Sequence, residues 1–208
     1  MATLADIKTR IITETARDDL EDDLAAQLLT HIQRACEHYG AHRFWFNAAV
    51  VTFATEAGAP VAELPLSLRR IDRLTIPAQR INLREVILPE LDDMESIGAG
   101  VPELYAYQGD SVRLSPVPSA IYTMQAYGVA RINAPAIDTD ASAWTNEAQD
   151  LIVNHAKMTL YRDQFRDAQG AQMAMGATQD ALNRLRRETA ERLRAPLRMP
   201  AGTPWGCG

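Results

Sequence analysis

"GDSVRLSPVPSAIYTMQAYGVARINAP", residues 109–135, opens on a Gly-Asp pair and holds two alternating runs parted by Pro116 and Pro118. Placed between "ELYAYQ" and "SVRLS", Gly109-Asp110 supplies a two-residue turn, because glycine takes the positive φ that tight hairpins need. The stretch therefore reads as a β-hairpin followed by a further strand, "AIYTMQAYGVARI", of the same sheet. It lies in the middle of a chain whose two ends carry helical periodicity, and that placement decides the fold.

Working upstream, "HRFWFNAAVVTFATEAG" (42–58) alternates through Phe44, Phe46, Val51 and Phe53 and reads as one long or broken strand. "APVAELPLSLRR" turns the chain through Pro60 and Pro65, and "RIDRLTI" alternates imperfectly at Ile71, Leu74 and Ile76. "LPELDDMESIG" makes a helical turn or two, begun by Pro89 and closed by Gly98. The middle of the chain is thus expected to be a meander of antiparallel strands.

The flanks differ in period. Residues 3–16 form an amphipathic helix with Thr3 as N-cap and Leu4, Ile7, Ile11 and Ile12 on one face. Asp22 or Asp23 caps a second helix, in which Leu24, Leu28, Ile32, Ala35 and Tyr39 recur before Gly40. Downstream, Ala148, Leu151, Ile152, His155 and Met158 stripe a helix over 146–165. Gly170 and Gly176 each cost a helix about 1 kcal/mol, so a break is expected near Gly170. A last helix then spans 177–194, with Ala181, Leu182, Leu185, Thr189 and Leu193 inward, and stops at Pro196. The expected class is α+β: a helical bundle built from N- and C-terminal helix pairs (1–41 and 140–195), a central antiparallel β insertion (42–139) and an extended C-terminal tail (196–208).

A chain of 208 residues, 47% hydrophobic and 23% charged, has ordinary globular composition. Its net charge of −6 argues against a dedicated nucleic-acid binder. Cys36 and Cys207 make no disulfide framework, which fits synthesis in a cytoplasm. With no apolar signal core and no run of about 18 apolar residues, a soluble protein without a membrane partner is expected.

Chemistry-bearing patterns are sparse. His31, His38 and His42 are spaced by seven and four with no completing carboxylate, so surface or interface histidines are expected rather than zinc ligands. His155 falls on an apolar stripe and reads as a hydrogen-bonded core residue. The run Asp18, Asp19, Glu21, Asp22, Asp23 lacks the central glycine of a calcium loop and suits a helix-capping turn. No nucleophile elbow or P-loop is present, and "GAGVPE" lacks the third glycine of a dinucleotide fingerprint. No catalytic, metal or cofactor-binding residue is therefore expected, and no enzyme. Arg184, Arg187 and Arg194 lead an arginine-rich final helix, either a solvated face or a contact for an acidic partner. The tail "LRMPAGTPWGCG" carries Met199 and Trp205, which are either docking anchors or incidental terminal residues.

Four fragments, in this order, carry a resemblance: "HYGAHRFWFN", "ELPLSLRRIDRLTI", "VPELYAYQGDSVRLSPVPSAIYTMQAYGV" and "DTDASAWTNEAQDLIVNHAKMTLY". Across residues 3–195 the chain resembles the head-to-tail adaptor (connector) proteins of tailed bacteriophages and gene transfer agents. The resemblance implies a structural protein of the virion head–tail junction. It implies a ring, commonly of about twelve copies, beneath the portal protein, extending a channel through which DNA passes without specific binding. It also implies an attachment site for a tail, nozzle or tail-terminator protein. By position, Leu197, Arg198, Met199, Pro200, Pro204 and Trp205 would dock along the portal, and Tyr105, Tyr107, Tyr122 and Tyr127 would face neighbouring subunits or the tail. Alternatives are a tail-terminator or head-completion protein, a nucleic-acid-binding packaging factor using the arginine helix, and a wall hydrolase using a carboxylate such as Glu103.

Overall fold

A computed structural model describes residues 1–15, 23–93 and 98–194. Among them the helices are α1 (Leu4–Thr15), α2 (Asp23–Tyr39), α3 (Leu88–Asp93), α4 (Ala143–Asn146), α5 (Gln149–Asp163) and α6 (Ala168–Arg194). The strands are β1 (Ala48–Ala54), β2 (Val61–Glu63), β3 (Leu68–Ile76), β4 (Ile81–Glu85), β5 (Ala99–Gly100), β6 (Leu104–Gln108), β7 (Ser111–Ser115), β8 (Val117–Pro118) and β9 (Thr123–Ala130). Among the described residues two compact units result: a helical one within Met1–Ala35, Phe44–Phe46 and Pro135–Arg194, and a sheet one within Cys36–Arg43 and Asn47–Ala134.

In the helical unit, α1 buries Leu4, Ile7, Ile11 and Thr15, the one-face spacing expected of an amphipathic helix. Its start is fixed from both sides. The Thr3 N–H donates to Asp6 Oδ2 (2.8 Å), and the Asp6 N–H donates to Thr3 Oγ1 (3.4 Å), a capping box with aspartate in the third position. The Leu4 and Ala5 N–H groups donate to the carbonyls of Asp140 and Asp138 (3.0 and 3.1 Å), so two more orphan donors are satisfied by a loop distant in sequence.

The break between the last two helices comes earlier than the glycines suggest. α5 ends at Asp163, Arg166 takes a positive φ of 51°, and α6 runs unbroken through Gly170 and Gly176. Asp167 caps α6, its Oδ1 accepting from the Gly170 N–H at 2.9 Å. A Cβ on Gly170 would stand 2.6 Å from Asp167 Oδ2 and 2.9 Å from the Tyr161 ring, so this glycine allows a close approach rather than ending a helix. Leu193, expected inward, is 50% exposed.

"RFWF" is not part of a strand. Phe44–Phe46 belong to the helical unit, and β1 begins only at Ala48. Trp144, 1% exposed, meets Phe44 and Phe46 edge-on with ring centroids 6.3 and 5.5 Å away. Packing of Phe44 and half-buried Phe46 around buried Trp144 overrides their strand propensity.

The sheet unit overturns the expected fold class, a helical bundle with a central antiparallel insertion. Its sheet has seven strands in the order β1-β9-β3-β4-β6-β7-β2, with β5 and β8 forming a separate parallel pair. The large sheet is mixed: β4 and β6 run parallel, Arg84 opposite Leu104, with α3 on the chain between them. A meander of consecutive hairpins cannot contain such a pair, because parallel neighbours need a crossover. Ala62 (β2), Leu74 (β3), Leu83 (β4), Val112 (β7) and Met124 (β9) share one buried cluster although they come from strands far apart in the sheet, so the sheet curls around a core of its own.

β3 explains its own imperfect alternation. Leu68, Ile71 and Leu74 are buried at three-residue spacing, and pairing with β9 shifts register twice, between Leu68 and Arg70 and between Ile71 and Arg73. Each bulge inserts one residue and restores the apolar side chain to the core face. At the first bulge β9 comes so close that a Cβ on Gly128 would lie 2.0 Å from the Arg70 carbonyl oxygen.

Candidate functional site

Tyr105 and Tyr107 sit side by side on β6, and both hydroxyls have work inside the sheet unit. Tyr105 is 2% exposed and donates to Glu85 Oε2 at 3.1 Å; burial, with the neighbouring Glu85 carboxylate, raises its pKa. The Tyr107 hydroxyl accepts from the Ile71 N–H (2.7 Å) and donates to the Ile71 carbonyl (3.2 Å). Ile71 stands at the second bulge and beyond the Leu74–Ile76 stretch that pairs with β4, and the tyrosine hydroxyl bonds both of its backbone groups. Tyr122 and Tyr127 are half-buried. The Tyr122 hydroxyl shares a 2.9 Å hydrogen bond with Ser119 Oγ, and the Tyr127 ring lies 4.0 Å beneath the Arg73 guanidinium.

The arginine face is partly engaged. Arg184 pairs with Asp150, which also accepts from Arg10 at 2.7 Å, and Arg10 in turn holds Glu14 at 2.7 Å. Lys157 completes the network on Glu14 at 2.8 Å, so α1, α5 and α6 are joined by alternating charges. Hydrogen bonds from Arg184 and Arg10 hold the Asp150 carboxyl below its ordinary range. Burial pushes Glu14 up, but Lys157 and Arg10 outweigh it and its pKa also falls. Arg187 is exposed. Further along α6, Arg192 stacks 3.5 Å from the Trp45 ring centroid, and Thr189 Oγ1 accepts from the Trp45 N–H at 3.2 Å. The side chain of Arg194, the residues Leu197, Arg198, Met199, Pro200, Pro204 and Trp205 expected to dock on the portal, and the acidic residues 18–22 lie outside the described residues.

On the sheet unit, Arg69, Arg70 and Arg131 line a cleft of about 110 Å³ beside Tyr107 and Asp110. Asp72 pairs with Arg70 (2.8 Å) and Arg43 (3.0 Å), so the outer side of β3 carries a mixed-charge surface. The two edges of the sheet are β1 and β2. β1 reads AAVVTFA, with no charge and no proline, and Val50 is 53% exposed. No periodicity signals this feature, because alternation says which side chains face inward and nothing about which strand ends the sheet.

The histidines do not converge. His31 is 4% exposed rather than on the surface, its Nδ1 2.8 Å from Thr159 Oγ1, and burial lowers its pKa. His38 packs edge-on to Tyr39 at 4.8 Å, and His155 is half-buried. Cys36 is buried, and burial pushes its thiol up to about 12. Among the described residues no three His, Cys, Asp or Glu side chains are grouped to hold a metal ion, and no helix is long and apolar enough to cross a membrane. Glu103 is exposed, and its backbone N–H donates to the Ser115 carbonyl at 3.0 Å.

Surfaces, edges and charge networks dominate this molecule, and the comparison with known families agrees in kind. The model of the SU10 adaptor protein family matches residues 2–200. The chain belongs to that family. It is a structural adaptor of bacteriophage, and a member of this family interacts with other head or tail proteins. A search of curated proteins finds no match to the adaptor.

Proposed function

We propose that the chain forms a ring beneath the portal protein, extends the DNA channel and offers the attachment site for the tail. The observation that carries this reading is the family match over residues 2–200, nearly the full chain. The net charge of −6 supports it, since a channel through which DNA slides should not grip the phosphate backbone. In this reading the segment from Leu197 to Trp205 docks along the portal, with Met199 and Trp205 as apolar anchors. Tyr122 and Tyr127, each half-buried, contact neighbouring subunits or the tail, while Tyr105 and Tyr107 hold the strands that present them. Arg187 and Arg194 provide the basic contact, and Arg184 orders the helix beneath it.

The test is to mix the purified protein with the portal from the same genome and to examine the mixture by negative-stain electron microscopy and co-sedimentation. A ring stacked on the portal is expected. Absence of association across a range of salt would exclude the portal as the direct partner. Removing residues 197–208 is expected to abolish attachment while the far-ultraviolet spectrum stays unchanged; attachment by the truncated chain would defeat the docking role of that segment.

A further inference from the structure

Among the described residues, β1 ends the sheet without the devices that keep an edge strand from pairing. The Asn47 carbonyl accepts from the Ala130 N–H (2.7 Å), and the Thr55 N–H donates to the Tyr122 carbonyl (3.0 Å). In an antiparallel ladder these two bonds set the parity: Ala49, Val51 and Phe53 bond to β9, whereas Ala48, Val50, Thr52 and Ala54 turn their backbone groups away from it. All four outward residues are exposed and uncharged, and no hydrogen bond among the described residues meets their backbone. Proteins ordinarily guard such an edge with lysine, proline or a covering loop.

Among the described residues the other end of the same sheet is also unpaired. The Leu114 N–H donates to the Pro60 carbonyl (2.8 Å) and the Leu64 N–H to the Asp110 carbonyl (3.2 Å), so Ala62 faces β7 while Val61 and Glu63 face away. One chain therefore ends in two different edges, a long uncharged one and a short one bearing Glu63. We propose that β1 of one copy receives β2 of a second copy, adding strands so that the sheets of neighbouring subunits become continuous. Two unlike edges on one body make a head-to-tail contact, which repeats around a ring and needs no symmetric partner. The chain's own C-terminal segment is a poor occupant, since Pro196, Pro200 and Pro204 each remove a ladder donor. The inference rests on the ring reading given above.

Val50→Pro and Val61→Pro each delete one outward N–H and leave the bonds to β9 and β7 in place. Native mass spectrometry and sedimentation of the wild type, alone and with the portal, establish first whether rings form. If they do, each variant alone is expected to lose them, and an equal mixture of the two is expected to give a heterodimer that grows no further, because one intact β1 meets one intact β2. Matching circular dichroism checks that the variants fold. Should Val50→Pro misfold, the double variant Val50→Lys, Thr52→Lys guards the edge with charge, and the same loss and the same complementation are expected. Rings that persist in these variants overturn the edge pairing and leave the ring reading standing. Symmetric dimers that form through β1 alone, and survive Val61→Pro, overturn the choice of β2 as partner. A wild type that forms no ring with or without the portal defeats both.

Discussion

Tyr107 shows how much one hydroxyl can carry. Tyr107→Phe leaves the ring in place but strips the Ile71 N–H and carbonyl of their partner at the bulge. A loss of about 1–3 kcal/mol in urea unfolding is expected. Gly128→Ala is expected to cost about 1–3 kcal/mol or more, since its Cβ would meet backbone rather than a mobile side chain. His31 makes a pH prediction. Its folded pKa lies below the usual value near 6.5, chiefly through burial, so the unfolded chain binds the proton more readily. The stability it contributes is complete above that pH and is lost as pH falls through the folded value. The melting temperature is expected to decline below about pH 6.5, and His31→Asn is expected to flatten that decline. Depressed carboxyls such as Asp150 act in a lower window, below the ordinary carboxylate range. Local chemistry of this kind was only partly legible: Thr3 as a cap and Gly109-Asp110 as a turn follow from residue type, and both hold, with Gly109 at φ 63°. The inward position of Tyr105 could not be read, because aromatic residues at strand spacing look the same on either face.

At the scale of elements, the helical stripes of α1 and α2 and the last residue of α6 followed from period and from Pro196, whereas the end of α5 and the start of α6 did not. A glycine count locates flexibility only when nothing packs against the glycine. Gly170 is fixed by Tyr161 and Asp167, but a Cβ at Gly176 would meet nothing within 4 Å. Gly176→Ala is accordingly expected to stabilise the protein by about 0.5–1 kcal/mol in denaturant titration. The misreading of "RFWF" as strand has a similar origin: its partner Trp144 is about a hundred residues away, and only the folded chain brings them together. The mixed sheet was hidden for the same reason. Alternation marks β6 as a strand, whereas β4 went unread, and their parallel pairing depends on where α3 carries the chain.

At the scale of the molecule, each unit has its own buried interior, and protection should follow it. Hydrogen exchange is expected to be slow in β9, which has neighbours on both sides, and in the buried stripe of α5. Fast exchange is expected at the outward amides of Val50 and Thr52 in the free protein. The Cys36 thiol, buried and with a raised pKa, should resist alkylation at pH 8 until the chain is unfolded, which peptide mapping can follow. The family assignment was legible from the order of short fragments, although none of them carries chemistry; the architecture holding them was not, since a seven-stranded curled sheet depends on pairings between distant segments.

The doubled bulge in β3 separates inheritance from adaptation within one strand. Leu68, Ile71 and Leu74 meet the core, while Arg69, Arg70, Asp72 and Arg73 face outward in the gaps between them. Mutations at those four positions change the charge shown to the outside and leave the buried triplet in register. A lineage that acquires a new partner can therefore rewrite this surface residue by residue, with the curled sheet conserved beneath it.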